Sequence, residues 1–104
     1  MSDTLRDLQT EVTAWADSVY PGRSFNSIVL KLEEELKEIK DSGYADPEEY
    51  ADTLILLFDL ASAYGIDIAA AVRAKIEKNK TRVWAIDPET EIMHHIEDGN
   101  ADAN

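Results

Sequence analysis

Apolar residues recur every three or four positions along most of this chain, and that spacing predicts four helices. Leu5, Leu8, Val12, Trp15 and Val19 form one stripe, so a first helix is expected from a cap at Ser2 or Thr4 to about Val19, where Tyr20-Pro21-Gly22 stops it. Phe25, Ile28, Val29, Leu32, Leu36 and Ile39 form a second stripe, capped by Ser24 and running to about Lys40. After Asp41-Ser42-Gly43, the run Asp46-Pro47-Glu48-Glu49 places Asp46 at the N-cap, Pro47 at the first helical position and Glu49 at the third. That third helix is expected to reach about Tyr64. From Leu54 to Ala61 it is apolar nearly all round apart from Asp59, which predicts a central helix buried by its neighbours or by a second subunit. Gly65 suits its C-terminal cap, and Asp67 caps a fourth helix to about Trp84, with Asn79 on the same inner stripe as Ile68, Val72, Ile76 and Val83. The fold class expected from this pattern is all-α, a four-helix bundle.

The polar positions are less ordinary than the apolar ones. Glu34-Glu35-Leu36-Lys37-Glu38 on the second helix is followed by Glu49-Tyr50-Ala51-Asp52 on the third. Residues three apart on a helix lie about 60° apart and about 4.5 Å along its axis. Glu35 with Glu38, and Glu49 with Asp52, are therefore pairs that share a face, and two antiparallel helices can aim all four at one place. Glu35 falls about 70° from the centre of its helix's apolar face, with Lys31 and Glu38 just beyond, at the edge of the core. Hard oxygen donors in this number suit Mg²⁺ or Mn²⁺.

Composition narrows the classes further. A chain of 104 residues, 44% hydrophobic, with four Gly and three Pro, is one globular domain near the size where oligomerisation supplements a small core. The absence of cysteine excludes disulfides, thiolate metal sites and a cysteine nucleophile. No N-terminal signal pattern and no apolar run of about 18 residues is present, so a cytoplasmic protein with no membrane partner is expected. A net charge of −12 opposes binding to nucleic acid. Six of those negatives lie in residues 85–104, which hold no Lys or Arg. Asp87-Pro88 is read as closing the helical domain at residues 1–86, leaving 87–104 as a short acidic appendage.

Against this acidity, Arg73, Lys75, Lys78, Lys80 and Arg82 place half of the ten basic residues within ten positions. Lys75, Asn79 and Arg82 share a face at i, i+4, i+7 spacing, with Lys78 on its flank. Cations for phosphate oxygens and carboxylates for a divalent metal are the two halves of a nucleoside triphosphate site. The order Glu-Glu-x-x-Glu, Glu-x-x-Asp, then Lys75-x-x-Lys78-Asn79-x-x-Arg82-x-Trp84 resembles the all-α nucleoside triphosphate pyrophosphohydrolase superfamily, the MazG-like proteins, from about Trp15 to Trp84. Glu48 to Leu56 and the closing Lys-Asn-Lys-Thr-Arg-Val-Trp are most similar to the phage and bacterial dATP/dGTP diphosphohydrolase branch that includes the MazZ proteins.

The resemblance implies Mg²⁺- or Mn²⁺-dependent cleavage of a small-molecule (d)NTP, a purine dNTP in that branch, to monophosphate and pyrophosphate. It implies Glu35, Glu38, Glu49 and Asp52 as metal ligands and Glu34 as the residue that orients or deprotonates water. It also implies Lys75, Lys78, Asn79 and Arg82 on the triphosphate, and a homo-oligomer, dimer or dimer of dimers. A phage setting, in the host cytoplasm, with a role in adjusting the nucleotide pool for modified-base DNA, is implied by the branch alone. One departure is visible: only ten residues separate Glu38 from Glu49, short for the superfamily, so a tight turn between Asp41 and Pro47 is required.

Plainer readings stand beside these. Lys31-Glu35 and Glu33-Lys37 at i,i+4 spacing are ordinary surface pairs, Glu49 is an ordinary capping residue, and basic residues are common at helix C-termini. Asp59 is expected in a structural or supporting role. Trp15, Phe25 and Asn26 are candidates to touch a nucleobase, and Trp15 and Trp84 are equally suited to packing. His94 and His95 read as surface residues. Two other functions fit the same residues: a pyrophosphohydrolase for a pyrimidine triphosphate or phosphoribosyl-ATP, and a non-catalytic acidic helical module for a basic partner.

Overall fold

The computed structural model describes residues 3–96. Four helices precede a two-stranded sheet: α1 Thr4–Val19, α2 Phe25–Asp41, α3 Pro47–Ala63, α4 Ile68–Lys80, β1 Val83–Ile86 and β2 Met93–Ile96. The chain forms two compact units that divide between Ala71 and Val72.

In the first unit α1 and α2 both pack against α3. Asp3 caps α1, its carboxylate accepting from the N–H groups of Leu5 and Arg6. The cap is thus neither Thr4 nor Ser2, which lies outside the described residues. Ser24, Asp46 and Asp67 accept from the N–H groups of Ser27, Glu48 and Ala70, as capping residues do at the start of a helix. Gly65 takes φ 69°, which lets the Ile66 N–H return to the Ala61 carbonyl at 2.9 Å and closes α3.

The apolar core among the described residues is small: Val12, Ala16, Ile28, Phe58 and Ala69. Phe58, 1% exposed, is its centre on α3. One copy of the chain covers only part of α3, since Leu54 and Leu57 are exposed, as are Leu8 and Trp15 on α1.

Buried polar residues supply much of the remaining cohesion. Gln9 donates to Ser62 Oγ at 3.0 Å and to the Ile66 carbonyl at 2.8 Å, and accepts from the Ile68 N–H at 3.0 Å. A glutamine from α1 thereby satisfies an N–H that the start of α4 cannot bond internally. Asp59, the break in the apolar run of α3, is 5% exposed. It accepts two 2.6 Å hydrogen bonds from Nε and Nη2 of Arg23, which also donates to Asp17 at 2.8 Å. Bidentate geometry makes this a strong pair, and it raises the Arg23 pKa above its already high ordinary value, chiefly through the Asp59 hydrogen bond.

The second unit departs from the all-α expectation. Helix α4 ends at Lys80, four residues before Trp84. Thr81 and Arg82 donate their N–H groups three residues back, to Lys78 and Asn79, and Thr81 Oγ1 also takes the Lys78 carbonyl at 2.7 Å, so the last turn tightens and stops. Val83–Ile86 then pairs antiparallel with Met93–Ile96, Trp84 opposite His95. Asp87-Pro88 opens the turn of this hairpin instead of closing a domain. Asp87 accepts from the N–H groups of Glu89 and Thr90, which lowers its pKa, and Glu91 takes φ 63°. The hairpin runs across residue 86, where the sequence placed a boundary; the end of the expected appendage, residues 97–104, lies outside the described residues. His95 is buried with its ring edge-on to Trp84, centroids 5.7 Å apart, so it is not the surface residue expected; His94 is exposed.

Removing one partner of a buried ion pair strands the other, at a cost of about 3–5 kcal/mol. Because Asp17 still faces Arg23, Asp59→Ala is expected at the low end, near 3 kcal/mol, measured by urea unfolding. A loss below about 1 kcal/mol, the worth of an exposed pair, would contradict a structural role.

Candidate metal and active site

The first unit brings three of the four expected carboxylates together. Glu35, Glu38 and Glu49 each offer an oxygen, and the three lie within 4.8 Å of one another. Glu35 is 3% exposed, Glu49 half-buried and Glu38 exposed. Asp52, one turn beyond Glu49, is exposed and stands outside this trio. Glu34 is exposed on the outer side of α2.

The short spacer is accommodated by two successive left-handed residues, Gly43 at φ 80° and Tyr44 at φ 67°. Tyr44 returns its N–H to the Ile39 carbonyl at 2.9 Å, and its own carbonyl accepts from the Tyr50 hydroxyl at 2.8 Å. This turn sets the end of α2 against the start of α3, where Asp46 performs the capping. Glu49, at the third helical position, faces Glu38 and Glu35.

The electrostatics of this trio are unfavourable without a cation. The Glu49 pKa is pushed up to about 7, first by sharing a hydrogen bond with Glu38, then by desolvation, the charge of Glu38 and the presence of Glu35. Among the described residues, no donor reaches the buried Oε2 of Glu35 or of Glu49. Glu35 Oε1 pairs with Lys31 Nζ at 3.2 Å, and the same ammonium lies 3.9 Å from Glu34. The hydrogen bond to Glu35 leads the causes that raise the Lys31 pKa. Lys37 pairs with Asp41 at 2.6 Å, not with Glu33. Buried carboxylate oxygens without donors are costly unless a cation or proton satisfies them. Hard oxygen ligands of this number and sign fit Mg²⁺ or Mn²⁺.

Trp15 is 56% exposed and borders two cavities of the first unit. One, of about 440 Å³, lies between α1 and α3 with Leu8, Val12, Leu54 and Phe58. The other, of about 330 Å³, is lined by Ile28, Lys31, Ile55, Leu56 and the Arg23-Asp59 pair. Phe25 stacks at a tilt on Tyr64, centroids 4.8 Å apart, so it is engaged in packing.

In the second unit Lys75 and Lys78 are exposed on α4, and Lys80 pairs with Glu77 at 3.1 Å. Arg82 lies beyond the helix, in the link to β1, so it does not share the helical face of Lys75 and Asn79. Asn79 is half-buried, its carbonyl accepting from Trp84 Nε1 at 3.0 Å, while among the described residues no donor reaches its buried Oδ1. Sequence reasoning missed the partner of Asp59. A lone arginine just before the cap of α2 and a lone aspartate in an apolar run were the signals. The Lys31-Glu35 pair was legible from its spacing; that Glu35 is buried was not.

The dATP/dGTP pyrophosphohydrolase family model matches residues 8–103. The chain belongs to that family. A family relative, the dATP/dGTP diphosphohydrolase of Salmonella phage PMBT28, is 40% identical over 99 residues, 95% of this chain but 34% of that protein, so the chain spans about a third of its length. The dATP/dGTP diphosphohydrolase of Cyanophage S-2L is 43% identical over 86 residues, 82% of each chain. A solved structure of the Cyanophage S-2L MazG-like pyrophosphohydrolase, bound to dGDP and three catalytic Mn²⁺ ions per active site, superposes with a TM-score of 0.79 at 41% identity, covering 93% of this chain and 97% of that one. Family membership and this neighbour give the four-helix arrangement its MazG-like character.

A carboxyl whose folded pKa lies above its unfolded value favours the folded state most below the unfolded pKa, and that contribution is lost as pH rises through the folded one. For Glu49 the window runs from 4.5 to about 7. Metal-free wild-type protein is therefore expected to lose melting temperature across this window, and Glu49→Gln to lose less. Parallel curves in calorimetry with chelator would contradict the assignment.

Proposed function

We propose that this chain is a divalent-metal-dependent purine deoxynucleoside triphosphate pyrophosphohydrolase, splitting dGTP or dATP between the α and β phosphates into monophosphate and pyrophosphate. The main support is the trio Glu35, Glu38 and Glu49, with buried oxygens that no donor among the described residues reaches, in a chain 41% identical to a protein that binds dGDP and catalytic Mn²⁺. A cation held there supplies charge neutralisation at the phosphates and a lowered pKa for water. Glu35, Glu38 and Glu49 hold it, with Asp52 as a further ligand from the next turn of α3. Glu34, adjacent in sequence, orients the water. Lys75, Lys78 and Arg82 neutralise the triphosphate, and Asn79 gives neutral hydrogen bonds near the metals or the sugar. Trp15, exposed beside two cavities, supplies a flat surface to the base.

The site works in an oligomer, a dimer or a dimer of dimers. Leu8, Trp15, Leu54 and Leu57 leave more apolar surface on α1 and α3 than a small monomer keeps in water. The setting is the host cytoplasm, acting on its purine deoxynucleotide pool; both curated relatives are phage proteins.

A panel of nucleoside triphosphates assayed with Mg²⁺ and Mn²⁺ is expected to give pyrophosphate and monophosphate fastest from dGTP or dATP, with Glu38→Gln lowering the rate at least about 100-fold, as loss of an outright ligand should. Activity surviving that substitution would overturn the ligand assignment. Light scattering is expected to return a multiple of 11.6 kDa, and Leu54→Glu to shift it toward the monomer; a monomeric wild-type chain would contradict the assembly.

A further inference from the structure

The two oxygens of Glu35 sit in distinct environments. Its Oε1 lies 3.2 Å from the Lys31 ammonium, and its Oε2 is buried with no donor among the described residues. Lys31 is one turn earlier on α2 and half-exposed at its side chain, 51% against 5% for Glu35. It also lines the 330 Å³ cavity with Ile28, Ile55 and Leu56, so its carbon stem lies along the inner side of α2 while the ammonium reaches the carboxylate.

We infer that Lys31 is the positioning residue of the metal centre: its ammonium holds one oxygen of Glu35 and leaves the other to the cation. This inference rests on the metal-ligand assignment of Glu35. A glutamate has three side-chain torsions, and its terminal one is broad, so a buried carboxylate without a fixed partner samples orientations that do not serve the site. Fixing one oxygen by a charge-assisted bond removes that freedom. The same ammonium lies 3.9 Å from Glu34, so it also restrains the carboxylate proposed to act on water.

A competing role has the opposite sign. If Lys31 merely substituted for a cation at Glu35, it would repel the metal, and its removal would tighten metal binding. If it positions Glu35, its removal weakens binding, as loss of partners beyond the ligands typically does, by about 10–100-fold. Half-exposure of the lysine screens its repulsion of the metal, which favours the positioning role.

The test is Mn²⁺ titration by calorimetry on the full wild-type chain, Lys31→Met and Lys31→Arg, with melting temperatures taken in chelator. The expected result is a Kd about 10-fold weaker for Lys31→Met, largely restored in Lys31→Arg, with the melting temperature of metal-free Lys31→Arg close to wild type. An unchanged or tighter Kd for Lys31→Met would overturn the inference. A weakened Kd that arginine does not restore and that tracks a lower melting temperature would assign Lys31 to folding and overturn it too. Failure of the wild-type chain to bind Mn²⁺ is a separate outcome, which removes the ligand assignment of Glu35 and this role with it.

Discussion

Three carboxylates within 4.8 Å of one another, on two helices joined by a short turn, are the constraint around which the first unit is organised. A hydrogen bond shared with Glu38, lost solvation and the neighbouring charge together push the Glu49 pKa up to about 7. A fold relaxed by its own preferences would let α2 and α3 splay at this end. The left-handed Gly43 and Tyr44 and the Tyr50-Tyr44 hydrogen bond prevent it locally. About 15 Å further along α3, the buried Arg23-Asp59 pair ties the chain at the start of α2 to the same helix. The two helices are thus held at both ends against the repulsion of the trio.

Much of this was legible in the sequence, because its sources are local. Helix starts at Ser24, Asp46 and Asp67 follow from side chains that satisfy backbone donors within three residues. The facing of Glu35 and Glu38 follows from helical periodicity alone. Features that depend on distant partners were not legible. Asp59 could be seen as an exception in an apolar run, but its partner Arg23 comes from a loop 36 residues away. Gln9, in the middle of the α1 stripe, reads as a polar interruption until the α3–α4 turn is beside it.

The error at the end of α4 has a physical origin. Lys75, Asn79 and Arg82 fit a helical face, and extrapolating that period through Trp84 concealed a strand: Val83, Trp84 and Ile86 are good β formers, and Asp87-Pro88 is a turn opener. The hairpin with Met93–Ile96 follows, its Trp84-His95 contact across the ladder. Asp52 has the spacing from Glu49 that one helical face requires, yet it stands exposed outside the trio.

Family membership and carboxylate geometry meet in a single claim: Glu35, Glu38 and Glu49 form a cation site. The most direct test is a crystal of the full chain soaked in Mn²⁺ and measured near the manganese absorption edge. The account predicts an anomalous peak bonded to oxygens of all three glutamates. An anomalous map with Mn²⁺ bound elsewhere, or with none at these residues, would contradict it.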